Sequence, residues 1–469
     1  MNRILLSAII VFGSITAFAG KNDLNIKGTI TNQLADEVQF SYVTYDGNWL
    51  NFKQHQVTEK LDEKGNFLVM LPLSNAYTQV YIQNGNEATE IYANPGDKLI
   101  MTVDASDFDN TVKYEGIGMK ATVANFMAKH VKEHGLTQSF YRAVQQKMKV
   151  EPGAFADTIR ALVQTELNFL VDNSAGLPSS FINFWNAFYE YSMYENMLRY
   201  PYMHEIIKAQ SYDVGETPQE NYVVVKQVPE KFDDKLIHVS SYRNYISAFY
   251  SQQLAAAKAS NSEKMLELSR QKMPAASEEF VFADFINSSI KQTPLEQTED
   301  RYAVFSSLYP GSSYAKTLEK VIEKKRKLSV GSPAIDFTVA DADGKKIKLS
   351  ELKGKVVYLD FWASWCGPCK AQFPHVGKIK EHFAGKDVVF VYVSIDEDEK
   401  AYEQAMEKYH LTGLHTREDG GWKSKTAQEY GVQGIPAYFL IDKEGKFASE
   451  DTPRPSQSEE LIKAIEALL

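Results

Sequence analysis

Apolar and polar residues alternate in short runs through the first part of the chain, from about Leu24 to Asp109. A period of two is typical of strands that bury one face, and the turn signals Asn84-Gly85 and Pro95-Gly96-Asp97 separate some of the runs. This pattern predicts a small β-sandwich over residues 20–115. Its clearest strands are predicted at residues 26–30, 38–42, 67–71, 80–82 and 99–103.

From about Met119 to Leu328 the apolar residues recur every three to four positions, which is the period of an α-helix. The pattern predicts an all-α region over residues 116–328 with about seven helices, bounded by Pro201, Pro229, Pro274, Pro294 and Pro310. One helix carries an aromatic stripe, formed by Phe181, Phe184, Trp185, Phe188 and Tyr191. We expect this stripe to be structural core; a peptide-binding groove is the alternative.

The helical pattern stops at Val330-Gly331-Ser332-Pro333, and strands then alternate with helices to the end of the chain. Such alternation predicts an α/β domain over residues 329–469. The predicted order begins with a hairpin, a strand, a helix, a strand and a helix, at residues 336–339 and 346–349, 356–360, from 366, 388–395 and 400–409. A short strand near His415, a helix at 423–430, strands at 437–441 and 447–450, and a helix at 459–468 complete it.

The first 19 residues differ from the rest of the chain. Arg3 precedes an apolar run over residues 4–18, and Ala17-Phe18-Ala19 has the small-x-small pattern of a cleavage signal. The run is shorter than the roughly 20 residues that a membrane-spanning helix needs. We therefore interpret residues 1–19 as a cleaved secretory signal peptide and expect a protein of the periplasm or cell envelope. An uncleaved N-terminal anchor is the alternative; lipidation is not expected, because no cysteine lies near the cleavage signal.

Composition excludes several classes of function. The chain of 469 residues is 44% hydrophobic and 24% charged, as in folded globular proteins. A net charge of −10 and the lack of a long basic stripe argue against a nucleic-acid partner. Two cysteines cannot staple an exported chain of this length, so the pair at Cys366 and Cys369 points to redox chemistry instead.

The Cys366-Gly367-Pro368-Cys369 motif follows an apolar strand, so a helix is predicted to start near Cys366. The free N–H groups and positive dipole at a helix start stabilise a thiolate, which lowers the pKa of Cys366 and makes it the nucleophile. Pro368 suits the first helical turn, where no N–H is needed. We therefore predict that Cys366 attacks a client disulfide and that Cys369 resolves the resulting mixed disulfide.

Apart from this redox-active disulfide, no cofactor is expected. His375 and His382 lie seven residues apart, on one face of the predicted helix, but two histidines without a third ligand are expected to be surface residues. No bound metal is therefore expected.

Asp360 ends the predicted strand before the motif, where burial of a carboxyl group would raise its pKa. It is a candidate general base for Cys369; a helix cap or turn residue is the alternative. Pro436, in Gly434-Ile435-Pro436, lies where a cis peptide could form a tight turn, although few X-Pro bonds are cis.

The segment from Asp360 to Lys370, together with Gly434-Ile435-Pro436, resembles thioredoxin. The predicted extra hairpin and the added helix after Ser394-Ile395-Asp396 resemble its exported TlpA/ResA branch, and the resemblance covers residues 330–469. It implies a thioredoxin fold in which Cys366 attacks, Cys369 resolves, Asp360 is the buried acid and Pro436 is a cis-proline facing the sulfurs. The client-contact residues that it implies are Trp365, Gly367, Pro368, Ile435 and Pro436.

The whole layout resembles envelope thiol-disulfide interchange proteins of Gram-negative bacteria. This resemblance implies a protein-disulfide reductase that a membrane electron donor keeps reduced and that acts on client proteins with cysteines or disulfides, such as cytochrome c precursors. The alternatives are a disulfide oxidase or isomerase, and an envelope binding module with an accessory redox domain.

Two positions depart from the family pattern. The exported branch usually carries a glutamate three residues after the second cysteine, where this chain has Gln372. Thioredoxin usually pairs its buried aspartate with a lysine on the next strand, where this chain has Tyr392. Asp360 is therefore expected to act without these two ionisable neighbours.

Overall fold

The computed structural model describes residues 23–116, 120–209, 217–258, 262–270, 272–290, 292–340, 344–449 and 451–469. The predicted signal peptide, residues 1–19, lies outside these ranges. Among the described residues, no helix is both long enough and apolar enough to cross a membrane.

The chain forms two compact units. The first comprises Met1–Phe285 and Val304–Thr317, and the second comprises Ile286–Ala303 and Leu318–Leu469. The division into three domains that the sequence suggests stays a prediction.

The described part of the first unit begins with eight strands: β1 (Asp23–Thr31), β2 (Glu37–Tyr45), β3 (Phe52–Lys60), β4 (Asn66–Pro72), β5 (Thr78–Asn84), β6 (Glu87–Ala93), β7 (Lys98–Asp104) and β8 (Lys113–Gly116). They form two four-stranded sheets, in the orders β4-β1-β7-β8 and β3-β2-β5-β6. The rings of Phe40 and Phe67, one from each sheet, lie 5.7 Å apart in a shared core. The β-rich arrangement expected from the alternating pattern is therefore present.

The turn signals of this region act as predicted. Gly85 connects β5 to β6 with a φ of 63°, and Gly96 connects β6 to β7 with a φ of 81°. Both values lie in the left-handed region, which glycine adopts without the steric cost of a side chain.

Nine α-helices lie between Lys120 and Leu328 in the described residues, after a one-turn helix, α1 (Phe108–Thr111). They are α2 (Lys120–His134), α3 (Thr137–Lys147), α4 (Pro152–Asn173), α5 (Ser179–Ala209), α6 (Ser240–Ala256), α7 (Ser262–Arg270), α8 (Ala275–Ser289), α9 (Leu295–Leu308) and α10 (Ser313–Leu328). The aromatic stripe lies on α5 and is buried, and the ring of Tyr92 on β6 lies 5.1 Å from that of Phe184. The stripe is therefore core, not an open groove.

Pro201 does not bound a helix, contrary to the prediction; it lies inside α5. Proline removes one helical hydrogen bond, but buried side chains hold the helix on both sides of it. Tyr200 stacks on Phe155 of α4 at 4.1 Å, and His204 is buried one turn further on. Tertiary packing thus carries α5 through the proline.

The second unit contains a six-stranded sheet with helices against it. Its elements after α10 are β9 (Thr338–Ala340), β10 (Lys346–Lys348), β11 (Val356–Trp362), α11 (Gly367–His382), β12 (Val388–Ser394), α12 (Glu399–Lys408), β13 (Leu414–Arg417), α13 (Lys425–Glu429), β14 (Ala437–Ile441) and α14 (Ser458–Glu466). The strand order is β10-β9-β13-β12-β11-β14. β11 is parallel to β12 and antiparallel to β14, and all seven of its residues are buried.

The strand predicted at residues 447–450 is not regular over its described part, residues 447–449; residue 450 lies outside the described ranges. Phe447 forms an isolated bridge to Ile441 and also exchanges backbone hydrogen bonds with Gly331 and Ser332. The other predicted elements of this domain are present, with ends shifted by a few residues.

Candidate active site

The junction between β11 and α11 carries the predicted redox pair. Cys366 is the N-cap residue of α11, and its sulfur accepts a hydrogen bond from the backbone N–H of Cys369 at 3.1 Å. Pro368 lies in the first turn, where its missing N–H costs no helical hydrogen bond. The helix thus begins where the sequence predicted, with its unpaired N–H groups at Cys366.

Cys366 and Cys369 are joined by a disulfide bond, and their Cα atoms lie 5.3 Å apart. Only 4% of Cys366 and 1% of Cys369 is exposed. The chain has no other cysteine, so any thiol-disulfide exchange by this protein passes through this pair.

The residues around Cys366 are more exposed than the cysteine itself. Gly367 and Pro368 are exposed on one side, and Trp365 is 55% exposed on the other. A second exposed tryptophan, Trp422, lies with its ring centre 6.0 Å from that of Trp365. Trp422 could not be identified from local sequence, because it lies in the turn between β13 and α13, far along the chain from Trp365.

Asp396, just after β12, holds the loop that leads to Cys366. Its buried carboxylate accepts hydrogen bonds from the backbone N–H of Ser364 at 2.8 Å and from the Ser364 hydroxyl at 2.6 Å. The hydroxyl of Ser394 donates to the same carboxylate at 2.7 Å. This clamp ties the loop to the end of the neighbouring strand and fixes the start of α11.

The peptide bond between Ile435 and Pro436 is cis, as the resemblance implied. β14 pairs with β11 so that Ala437 lies opposite Phe361. This register places Pro436 at the sheet edge where β11 runs into the loop before Cys366. Ile435 and Pro436, two of the predicted client-contact residues, therefore lie at the same edge of the sheet as the cysteines, and both are half-buried.

Asp360 is buried on β11, only 2% exposed, as predicted. Its Oδ1 atom has no hydrogen-bond partner among the described residues. Burial disfavours the ionised carboxylate and raises its pKa to about 8, although the charge of Lys380 opposes this shift. The side chain is thus a protonated acid at neutral pH with a pKa close to the working range of a general base.

Lys380 on α11 is the cation that the sequence analysis did not identify. Its Nζ lies 4.8 Å from the ring centre of Tyr392 and 3.2 Å from the Thr412 hydroxyl oxygen, and it donates to the Thr412 carbonyl. Burial lowers the pKa of Lys380 to about 8, and the charge of Asp360 opposes this shift. Tyr392 replaces the expected strand lysine, and a lysine from the helix acts on Asp360 instead.

Aromatic side chains separate these two groups from water. Tyr392 on β12 and Tyr438 on β14 lie directly opposite Asp360 on its two neighbouring strands. Burial raises the pKa of both tyrosines, so they stay neutral beside the carboxyl group. His415 stacks on Tyr392 at 4.8 Å, and burial with the charge of Lys380 lowers its pKa to about 4. Lys380 is therefore the charged neighbour of Asp360.

Gln372 has a structural partner. Its side-chain oxygen accepts a hydrogen bond from the backbone N–H of Ser456 at 2.9 Å, which ties α11 to the segment before α14. The position that usually carries a glutamate in the exported branch thus holds the helix in place without an ionisable group.

Comparison with known proteins places this site in a family. The Redoxin family model matches residues 329–465. The chain is 36% identical to the thiol-disulfide oxidoreductase ResA of Bacillus thuringiensis over 144 residues, which are 30% of this chain and 82% of the relative. It is also 36% identical to ResA of Bacillus subtilis over 138 residues, 29% of this chain and 75% of the relative.

The chain belongs to the ResA-like thiol-disulfide oxidoreductases.

Solved structures were also matched. The thioredoxin domain of a thiol-disulfide oxidoreductase from Bacteroides vulgatus is 27% identical, with 30% of this chain and 97% of that chain covered and a TM-score of 0.27. A thiol:disulfide interchange protein from Bacteroides sp. is 26% identical, with 30% and 92% covered and a TM-score of 0.27.

The family membership makes this ResA-like protein a thiol-disulfide oxidoreductase with a thioredoxin-like C-terminal domain. The structure brings Asp360, Cys366, Cys369 and Pro436 to one end of its sheet. The residues that sequence reasoning missed are Lys380, Asp396 and Trp422. Each of these residues belongs to the site through contacts between elements that are distant in sequence. The spacing of residues along the chain does not predict such contacts.

Asp360→Asn should change how stability depends on pH. In the unfolded chain Asp360 loses its proton above its ordinary pKa of 3.8. In the folded wild type Asp360 keeps that proton up to about pH 8. Wild-type stability therefore falls as pH rises through this window, by up to about 1.4 kcal/mol per pH unit from this group. The Asp360→Asn variant lacks this loss of stability with rising pH. The difference in melting temperature between the variant and the oxidised wild type, in favour of the variant, should therefore be larger at pH 7 than at pH 5.

The control is Asp387→Asn, which alters an exposed aspartate of the same domain. Its melting temperature should follow the wild-type pH dependence. An Asp360→Asn profile parallel to that of the wild type would show that Asp360 ionises normally in the folded protein.

Proposed function

We propose that this ResA-like protein is an exported protein-disulfide reductase that exchanges thiols and disulfides with client proteins through Cys366-Gly367-Pro368-Cys369. The observation that carries the proposal is the position of Cys366 at the start of α11, bonded to the second cysteine one turn away. A helix start stabilises a thiolate, and a nearby second thiol allows a mixed disulfide to be resolved.

The reaction starts from the reduced pair. The Cys366 thiolate attacks one sulfur of a client disulfide, the client S–S bond breaks, and one client cysteine leaves as a thiolate that takes up a proton. The Cys369 thiol then loses its proton and attacks the Cys366 sulfur, which releases the second client cysteine. Two electrons have moved to the client, and the protein holds the Cys366–Cys369 disulfide found in the structure.

Asp360 is the proposed base for the second step. Its carboxyl group has a pKa near 8, so it exchanges a proton readily at neutral to slightly alkaline pH. The charge of Lys380 opposes the rise in the pKa of Asp360 that burial causes, because it favours the ionised carboxylate. Asp360 is therefore assigned to deprotonate Cys369, and Lys380 is assigned to position the pKa of Asp360.

Exposed apolar surface beside Cys366 supports protein clients. Trp365 and Trp422 present two large rings to solvent, and Gly367 leaves the approach to Cys366 free of a side chain. An extended client segment with apolar residues near its cysteine fits such a surface, with Ile435 and Pro436 at the same sheet edge.

The remaining parts of the proposal rest on the sequence. The signal peptide predicted at residues 1–19 supports export to the periplasm or envelope. Each catalytic cycle leaves the pair oxidised, so a donor of two electrons must reduce it again, and a membrane electron donor is the proposed source. Cytochrome c precursors, whose cysteines must be reduced, are the proposed type of client.

Cys369→Ser should trap clients. The variant keeps the attacking Cys366 but cannot resolve the mixed disulfide, so covalent complexes should accumulate in the envelope and run as reducible bands on a non-reducing gel. Mass spectrometry of these bands identifies the clients. The matched control, Cys366→Ser, keeps the other thiol and should give at least about tenfold fewer complexes, because Cys369 lies inside α11, past the N-cap position that stabilises a thiolate, and is the more deeply buried of the two. Equal trapping by both variants, or none by either, would refute the assigned roles.

The reduction potential decides the direction of exchange. We expect a value in the reducing part of the thioredoxin-fold range, between about −200 and −270 mV, measured by equilibration of the purified protein with glutathione or dithiothreitol buffers. A value above about −150 mV would instead support a disulfide oxidase or isomerase. In that case the protein should also refold a scrambled substrate faster than it reduces insulin.

Lys380→Met should shift the pH profile of catalysis. The change keeps an unbranched apolar stem against the rings of Tyr392 and Phe390 but removes the charge that lowers the pKa of Asp360. The alkaline-rising limb of insulin reduction should move to higher pH by up to about one unit. The rate should recover once the pH exceeds the new midpoint.

Lys378→Met is the matched control, because Lys378 is an exposed residue of the same helix. Its pH profile should coincide with that of the wild type. A uniform loss of rate in Lys380→Met at every pH, with an unmoved midpoint, would show that Lys380 acts only through packing.

A further inference from the structure

Three potential metal ligands converge in the first unit, far along the chain from the cysteines. His130 and His134 lie one turn apart on α2 and face Glu166 on α4. The Oε2 atom of Glu166 lies 2.7 Å from Nε2 of His130 and 3.1 Å from Nδ1 of His134. One ligand atom from each residue falls within 4.8 Å of the other two. Such a group is the only one of its kind among the residues that the structure describes.

The cluster is largely buried against aromatic side chains, and His134 is its most exposed member. The side chain of His130 is 1% exposed and that of Glu166 is 9% exposed, whereas His134 is 18% exposed. The rings of Phe169 and Trp185 pack against His130 at 5.2 and 5.0 Å. The ring of Phe169 also packs against His134, at 4.9 Å, so the partly exposed edge of His134 is the route left for a small ligand.

Among the residues that the structure describes, the ionisable partners of the Glu166 carboxyl group are His130 and His134, and no lysine or arginine pairs with it. A buried carboxylate needs a compensating positive charge, which protonated histidine or a bound cation supplies.

Two imidazoles and one carboxylate form a donor set that divalent transition metals prefer. Zinc accepts such nitrogen and oxygen ligands at about 2.0–2.2 Å, which places neighbouring ligand atoms roughly 3.3 Å apart in a tetrahedron. The observed separations of 2.7 and 3.1 Å are hydrogen-bond distances shorter than this value, and the three ligand atoms lie within 4.8 Å of one another, so the side chains must adjust to place all three around one ion. Three protein ligands leave the fourth position for water.

We propose that His130, His134 and Glu166 form a binding site for a divalent transition metal, zinc foremost, that joins α2 to α4 with one coordination position open on the side of His134. The site lies outside the thioredoxin-like domain and stands or falls independently of the proposed disulfide reductase function.

This proposal departs from the sequence-based expectation of no metal. That expectation weighed only His375 and His382, and His382 pairs with Glu466 on the surface at 2.8 Å. The four-residue spacing of His130 and His134 on a helix was a usable signal, because it places two rings on one face. The third ligand could not be identified from spacing, since Glu166 belongs to another helix.

Zinc binding to the full-length mature chain tests the site. Cys366 and Cys369 are replaced by serine in every protein of the test, so that their thiols cannot bind the metal. Titration of the chelator-treated protein with zinc chloride should show one equivalent bound. Cobalt(II) should give the intense visible spectrum of a four-coordinate site without a thiolate charge-transfer band. Zinc should also raise the melting temperature.

His134→Gln separates metal binding from hydrogen bonding. Glutamine can still donate an N–H to Glu166 but is a poor zinc ligand, so this variant should fold and bind zinc at least about tenfold more weakly. Glu166→Gln should lose affinity to a similar extent. His238→Ala, which removes a histidine that bonds only to a nearby backbone carbonyl in the same unit, should leave the affinity unchanged.

Three outcomes would overturn the proposal. The first is no zinc binding by the cysteine-free protein, and the second is unchanged affinity in a folded His134→Gln variant. The third is an equal loss in His238→Ala, which would place the metal elsewhere. Each of these results would make the cluster a hydrogen-bonded support for a buried carboxylate, and none of them bears on disulfide exchange through the cysteines.

Discussion

The redox site depends on one constraint: only a short loop connects the fully buried strand β11 to the start of α11. A strand with both faces covered cannot shift without exposing apolar surface, so the residue that follows it is held in place. The Asp396 clamp then fixes the short loop between strand and helix. As a result Cys366 meets the unpaired N–H groups of α11, and Cys369 follows one turn later.

The same burial creates the unusual state of Asp360. A buried carboxyl group between two tyrosines is poorly solvated, and its Oδ1 atom has no hydrogen-bond partner among the described residues. Stability alone would favour an apolar residue at this position. The proposed proton exchange with Cys369 would give such a costly group a function, since a pKa near 8 suits a general base.

An element can be predicted from sequence when the residues that determine it are neighbours along the chain. β11 and α11 could be predicted because a continuous apolar run and a helix-start motif lie side by side in the sequence. β3 could not, because it is a largely exposed strand without apolar alternation, and its place is set by pairing with β2. Helix α5 continues through Pro201 because of contacts with α4. Lys380 was missed for the same reason, since it reaches Asp360 from a different layer of the domain.

Other buried carboxyl groups of the chain differ from Asp360 in their hydrogen-bond partners. Glu90 in the first unit is fully buried, but its carboxylate accepts hydrogen bonds from the backbone N–H and the hydroxyl of Thr137 at 2.7 and 2.6 Å. Such a group is satisfied by neutral donors and has a structural explanation. Glu166 is satisfied by two imidazoles, the proposed metal ligands, whereas one oxygen of Asp360 has no partner in the part of the chain that the structure describes. The partners of a buried acid, more than its burial, therefore separate a structural carboxylate from one with chemistry to perform.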